Sequence, residues 1–230
     1  MSKTKSSNGS LVGEYKLKVK DAKEKLADNF CCCVDFGETK IFIAGGEYEA
    51  AAFTTSNFTS FIVGGSLGDV DEGLRLMKNV AAKVTTLYSE RDFHASVAKH
   101  FIAPILKAKI ENIDTAVGLA VEYMFYDITQ RLTMIHLNGD TRVMTDEEIK
   151  GNMFFVGCYN PTLKKRVMAA VAKEFSKKLP PNPGEAKKSA QRLKKALKIK
   201  SIGMQIMKKD NSKGSPMIEK EEGDMEDGKP

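Results

Sequence analysis

The sequence predicts an α+β fold, a four-layer αββα sandwich in which two stacked antiparallel sheets are flanked by helix pairs. Two observations carry this expectation. The elements come in runs (strands, two helices, strands, two helices, one strand) rather than in strict strand–helix alternation. The strand segments are short, apolar and separated by turn residues, the pattern of consecutive hairpins. Two sheets packed face to face, each with helices on its outer side, would bury every apolar face. The chain has 230 residues, enough for one such domain with tails and for a core that needs no disulfide or metal.

The elements follow in order. Residues 1–13 are polar and rich in Ser, Gly and Lys, and are expected to form a flexible arm. Residues 14–28 predict an amphipathic helix with Leu17, Val19, Ala22 and Leu26 on its apolar side. Residues 30–35 and 40–44 predict a hairpin around Asp35-Phe36-Gly37-Glu38, ended by Gly45-Gly46. Residues 50–55 and 59–63 predict a second hairpin around Ser56-Asn57. From Asp69 a helix is expected, with Val70, Leu74, Met77, Ala81, Val84 and Leu87 at 3–4 spacing. Another begins near Asp92, with Phe93, Val97, Phe101, Ile105 and Leu106 on one side; Pro104 predicts a kink or an end there.

Residues 116–126 and 131–137 predict strands flanking a turn at 127–130, and Asn138-Gly139-Asp140 supplies the next turn. Phe154-Phe155-Val156-Gly157 predicts one more buried strand. Asn160 caps and Pro161 opens a helix through Leu163, Val167, Ala170, Val171 and Phe175, which Pro180-Pro181-Asn182-Pro183 stops. Residues 184–199 form a basic helix with Ala186, Ala190, Leu193 and Leu197 on its apolar side. Residues 201–208 alternate as a closing strand. The organisation is thus an arm (1–13), one domain (14–210) and a disordered acidic tail (211–230).

Charge is distributed unevenly. Residues 29–159 hold 11 basic and 17 acidic residues, residues 160–213 hold 16 and 3, and residues 214–230 hold 2 and 6. A basic third of this kind reads first as a solvated lysine face and second as a surface for nucleic acid or an acidic partner. No apolar run reaches the roughly 20 residues of a membrane-spanning helix, and the opening MSKTKSSNGS has no apolar signal segment. A cytoplasmic or nuclear location without membrane contact is therefore expected. In that setting Cys31, Cys32, Cys33 and Cys158 are reduced thiols, and the sequon at Asn57 goes unused. Consecutive cysteines on a strand point to opposite faces, which disfavours both a vicinal bridge and a tetrahedral metal cage.

Three junctions resemble those of the proteasome subunit family, within the N-terminal nucleophile hydrolase superfamily. The first is Ile62-Val63-Gly64-Gly65-Ser66-Leu67-Gly68-Asp69, with Gly65 and Asp69 in the positions of the family's strand–Gly-x-x-x-Asp–helix junction. The second is Met134-Ile135-His136-Leu137-Asn138-Gly139 followed by Phe155-Val156-Gly157-Cys158 and a helix. The third is Ser201-Ile202-Gly203-Met204-Gln205-Ile206-Met207 with Lys208-Lys209-Asp210. The resemblance spans about residues 30–209 and implies the αββα fold. Gly9-Ser10-Leu11-Val12-Gly13-Glu14-Tyr15 is similar to the α-type lead into a first helix, one residue short and without its Arg and Gln.

The family's catalytic groups have no match here. Active members expose an N-terminal threonine on the first strand, assisted by a lysine and an aspartate. The matching positions read Asn29-Phe30-Cys31 and Ala44-Gly45-Gly46, residues 47–66 contain no lysine, and Cys158 stands where a serine is usual. The resemblance therefore implies a non-catalytic structural subunit that assembles with related chains in a hetero-oligomer. No catalytic, cofactor-binding or metal residue is expected.

Two other functions remain open. One is a self-processing amidohydrolase using an N-terminal cysteine from the triplet. The other is a binder of RNA or acidic partners through the Lys187–Lys200 helix, although that helix lacks aromatics for base stacking. His94 and His100, six apart, face different ways on a helix, and His136 fits a structural role. Asp69, Asp71 and Glu72 suit the first turn of a helix better than a cation site. Gly45-Gly46 and Gly64-Gly65 fit turns rather than phosphate loops.

Overall fold

The computed structural model describes residues 8–55, 58–87, 95–113, 118–127, 129–176, 179 and 182–208. The elements are α1 (Asn8–Lys25), β1 (Phe30–Asp35), β2 (Thr39–Gly46), β3 (Ala51–Thr54), β4 (Phe58–Gly64), α2 (Leu67–Leu87) and α3 (Ala95–Ile110). They continue with β5 (Val121–Asp127), β6 (Leu132–Ile135), β7 (Thr141–Met144), α4 (Asp146–Ile149), β8 (Met153–Gly157), α5 (Pro161–Phe175), α6 (Pro183–Leu197) and β9 (Ser201–Lys208). One sheet has the order β8-β1-β2-β9 and the other β3-β4-β5-β6-β7, with antiparallel pairing throughout.

Strand alternation generates the layers. In β1 and β2, Cys31, Cys33, Phe42 and Ala44 face the opposite sheet, where they meet Phe61, Val63, Met124 and Tyr126. The alternate residues Phe30, Cys32, Ile41 and Ile43 meet Val167, Val171, Leu193 and Leu197 of α5 and α6. On the other sheet, Phe58, Ile62, Tyr123 and Phe125 pack under Met77 of α2 and Ile102 and Leu106 of α3. The four layers are thus α2/α3, sheet, sheet and α5/α6, as the sequence predicts.

Both ends of the inter-sheet layer carry polar groups, and α1 lies across one of them. Ala22 and Leu26 are fully buried in that layer. Lys18 and Lys25 donate to the carbonyls of Glu111 and Ile113, beyond α3, at 2.6 and 3.3 Å. Lys23 sits 5.1 Å over the Tyr159 ring, beyond β8. The helix therefore bridges the two sheets at the end where β1 begins.

Several local expectations are corrected. α1 starts at Asn8 rather than Glu14, so 9–15 lies inside the helix; isolated glycines cost a helix only about 1 kcal/mol each and did not stop it. Leu17 is 61% exposed, whereas Ala22 and Leu26 of the expected apolar side are buried as predicted. α3 continues through Pro104 to Ile110. Pro104 and His100 both face solvent, so the carbonyl that loses its helical donor is reachable by water. Phe101 is exposed, and the buried stripe is Ile102, Leu106 and Ile110. β7 and α4 were not anticipated. His94, Asn57 and its turn, the expected start of a helix at Asp92, residues 1–7 of the arm and the tail 211–230 lie outside the described residues.

The far end of the inter-sheet layer is closed by a buried ion triad. Asp35 and Lys40, paired across the β1–β2 hairpin, both point into this layer. Lys40 Nζ lies 2.9 Å from Asp35 Oδ1 and 2.6 Å from Asp146 Oδ1 of α4. Asp35 Oδ2 accepts from the Gly151 backbone at 2.8 Å. Burial alone would lower the lysine's pKa, but the two carboxylates outweigh it and hold it raised. Replacing Lys40 by Met leaves two carboxylates without their cation. Lys40→Met is expected to cost about 3–5 kcal/mol in urea unfolding; a loss under about 1 kcal/mol would mean that water reaches the triad.

Candidate functional site

The end of the sandwich where β1 begins is the place to look for chemistry, because the resemblance puts a nucleophile there. The segment before Phe30 is tightly held. Asn29 is 4% exposed and Phe30 fully buried. The Asn29 carbonyl accepts from Cys158 N at 2.7 Å, and the Ala27 carbonyl accepts from Asn160 N at 3.0 Å. The Asn29 side chain accepts from Tyr48 N at 3.0 Å, and Asn160 donates to Asp28 at 2.8 Å. Phe30 itself pairs with Gly45 on one side and Gly157 on the other. Two glycines permit this closeness. A Cβ on Gly46 (φ +140°) would lie 2.1 Å from the Asp28 carbonyl oxygen, and one on Gly157 (φ +67°) 2.2 Å from that of Asn29.

The cysteines are core residues. Cys31 and Cys33 face the inter-sheet layer and Cys32 the α5/α6 layer. Burial pushes the thiols of Cys31 and Cys32 well above their ordinary value. Burial also raises Cys33, with Lys40 offsetting only part of the effect. Cys158 is pushed up to about 11, again mainly by burial. A thiol held protonated and away from solvent is a poor nucleophile. Lys40 lies at the opposite end from the start of β1. In the native protein the four thiols are expected to resist Ellman's reagent and to react once denaturant is added. Stoichiometric labelling of one thiol in the folded state would contradict this burial.

One titratable cluster does occupy this end, and no motif in the sequence singled it out. Glu122 of β5 is fully buried on the inter-sheet side. It accepts from Leu137 N at 3.1 Å and Gly157 N at 2.6 Å. It also accepts a short hydrogen bond from the Tyr159 hydroxyl and lies 3.3 Å from His136 Nδ1. Glu122 thereby ties β5 and the turn after β6 to the end of β8. The available clue was a glutamate inside the apolar run Val121–Phe125, at an inward-facing position.

The electrostatics are those of a satisfied clamp. Burial would raise the Glu122 pKa, but His136, Tyr159 and the Gly157 amide lower it below the ordinary value. Tyr159 is raised by burial and then by Glu122. His136 is raised chiefly by Glu122, against burial, with Asp140 adding and Lys23 opposing. Leu137 N, Gly157 N, the Tyr159 hydroxyl and His136 Nδ1 thus converge on one carboxylate.

The other candidates from the sequence resolve into structure. Asp69 Oδ2 accepts from the Ser66 hydroxyl at 2.8 Å and Oδ1 from Ala120 N at 3.1 Å, fastening the start of α2 to the segment before β5. Gly65 N donates to the Ala120 carbonyl at 2.9 Å at the same junction. Glu72 is held by Arg75 at 2.6 Å, and Asp71 is exposed. A shallow cleft lined by Ser66, Asp69, Glu72 and Lys109 lies beside this junction. His100 is exposed on α3, and His136 lies just after β6. Among the described residues no group of three or more His, Cys, Asp or Glu could hold a metal ion, and no helix is long and apolar enough to cross a membrane.

These features define the chain as an α+β two-sheet sandwich with a sealed strand start. No protein-family model and no curated protein matches it.

The clamp has a pH signature. The folded pKa of His136 lies above the unfolded value of about 6.5. Its contribution is therefore fully present below about pH 6.5 and lost as pH rises through the folded value. Glu122 acts oppositely: its contribution is present above about pH 4.3 and lost as pH falls through its lowered value. In urea unfolding from about pH 6 to about pH 9, the wild type is expected to lose stability relative to His136→Gln. Parallel profiles would remove the ion pair from the account.

Proposed function

We propose that this chain is a non-catalytic, proteasome-like structural subunit that works by packing against related chains in a hetero-oligomer of the cytoplasm or nucleus. The observation that carries the reading is the sealed start of β1. Where a family nucleophile would stand free, the backbone is bonded on both sides, its thiols are buried, and α1 lies across the opening. The order of strands and helices supports the same reading, as does the junction of Gly65 and Asp69 on Ala120. Exposed Leu17 on α1 and Met168 on α5 offer apolar contact points on outer surfaces.

The experiment is purification of the native complex, followed by size-exclusion and intact-mass spectrometry of this chain and its companions. The expected result is a large assembly with related chains, in which this polypeptide retains the residues ahead of Cys31. An isolated monomer or dimer whose first residue is Cys31, Cys32 or Cys33 would overturn the proposal in favour of a self-processing cysteine amidohydrolase.

A further inference from the structure

The basic third of the sequence folds into one outer layer. α5 and α6 turn Val167, Val171, Leu193 and Leu197 inward. They leave Lys165, Lys173, Lys187, Lys188, Arg192 and Lys195 exposed on the outside. Only two acidic residues belong to these helices, and both are already engaged: Glu174 by Arg192 at 2.6 Å and Glu185 by Lys188 at 2.7 Å. The cationic surplus is gathered on two helices that pack side by side, so it favours an anionic occupant. The helices expose no aromatic side chain, the single aromatic, Phe175, being buried. A nucleic-acid base would find no stacking platform there.

The same chain carries a segment of matching charge. Residues 219–227 contain Glu219, Glu221, Glu222, Asp224, Glu226 and Asp227 against a single Lys220. The chain leaves the sandwich in the right place to deliver it. The short connection after Leu197 sends β9 back along α6 on the sheet edge, and β9 ends at Lys208. The 11 residue steps from Lys208 to Glu219 can span up to about 36 Å. α6, with 15 residues, is about 22 Å long. The acidic run can therefore reach the whole basic layer.

We infer that the outer face of α5 and α6 is a docking surface for a carboxylate-rich peptide, and that its occupant is residues 219–227 of this same chain. Docking offsets most of the layer's positive charge, and any other polyanion must displace the segment to bind. The inference stands apart from the subunit reading, since it needs only one protomer.

The test is zero-length carbodiimide cross-linking of the purified full chain, with an equal mixture of isotopically light and heavy copies, at low and at high salt. The expected links join Glu219, Glu221 or Glu222 to lysines of α5 and α6, within like-labelled copies, and are lost at high salt. A Glu219→Gln/Glu221→Gln/Glu222→Gln variant is expected to need a higher salt concentration to leave a heparin column. Links spread evenly to lysines of α1 and α2, links between unlike-labelled copies, or an unchanged heparin elution would each overturn the inference. So would steeply salt-dependent RNA binding by the full chain that the variant does not strengthen, which would make nucleic acid the occupant.

Discussion

Each strand in the middle of this molecule must be apolar on both faces, because one face meets the other sheet and the other meets helices. Phe42 shows the constraint: its ring stacks on Phe61 of the opposite sheet with centroids 4.8 Å apart. Its neighbours Ile41 and Ile43 are fully buried toward α5 and α6. The cysteine triplet follows from the same requirement. Three small, apolar, β-compatible side chains fill alternate sides of a strand with no solvent-facing side. Small hydroxyls such as Ser60 and Thr133 are tolerated within the strands, but the inter-sheet layer carries buried charge at its two ends. Lys40 with Asp35 and Asp146 closes one, and Glu122 with Tyr159 and His136 the other.

The closed ends bear directly on function. The active members of the family that the sequence resembles expose a nucleophile at the start of the first strand, in a mouth between the sheets. Here that mouth holds Ala22 and Leu26 of α1, and the carboxylate beneath it is saturated by backbone and side-chain donors. What is left for interaction is the outside: the exposed part of α1 and the basic layer of α5 and α6. The proposed subunit role draws on the first, and the inferred docking of residues 219–227 on the second.

Much of the fold was readable as pattern. The stripe of α6 (Ala186, Ala190, Leu193, Leu197) and that of α5 (Leu163, Val167, Val171, Phe175) are buried as their spacing predicts. Asn160 caps α5 by accepting from Thr162 N and Leu163 N, with Pro161 in its first turn. β7 was not readable, because Thr141-Arg142-Val143-Met144 is a short edge strand with three of its four residues partly or fully exposed. α4 was hidden for a related reason: a single turn of Asp-Glu-Glu-Ile has no periodicity to detect. Phe101 misled because periodicity finds an apolar stripe but not the rotation at which the helix docks.

Local chemistry thus decided where the chain bends, which segments extend and which coil, since these depend on neighbours within about four residues. The two closed ends of the sandwich depended on longer distances. Asp35 and Lys40 are a short hairpin pair, but their third member, Asp146, comes from more than a hundred residues away. Glu122 meets His136 through the pairing of β5 with β6, but it reaches Gly157 and Tyr159 only because the two sheets stack with β5 opposite the end of β8. The presence of four cysteines was evident at once. That all four are sealed from solvent followed only from stacking, because burial is a property of what lies on both sides of a strand and not of the strand itself.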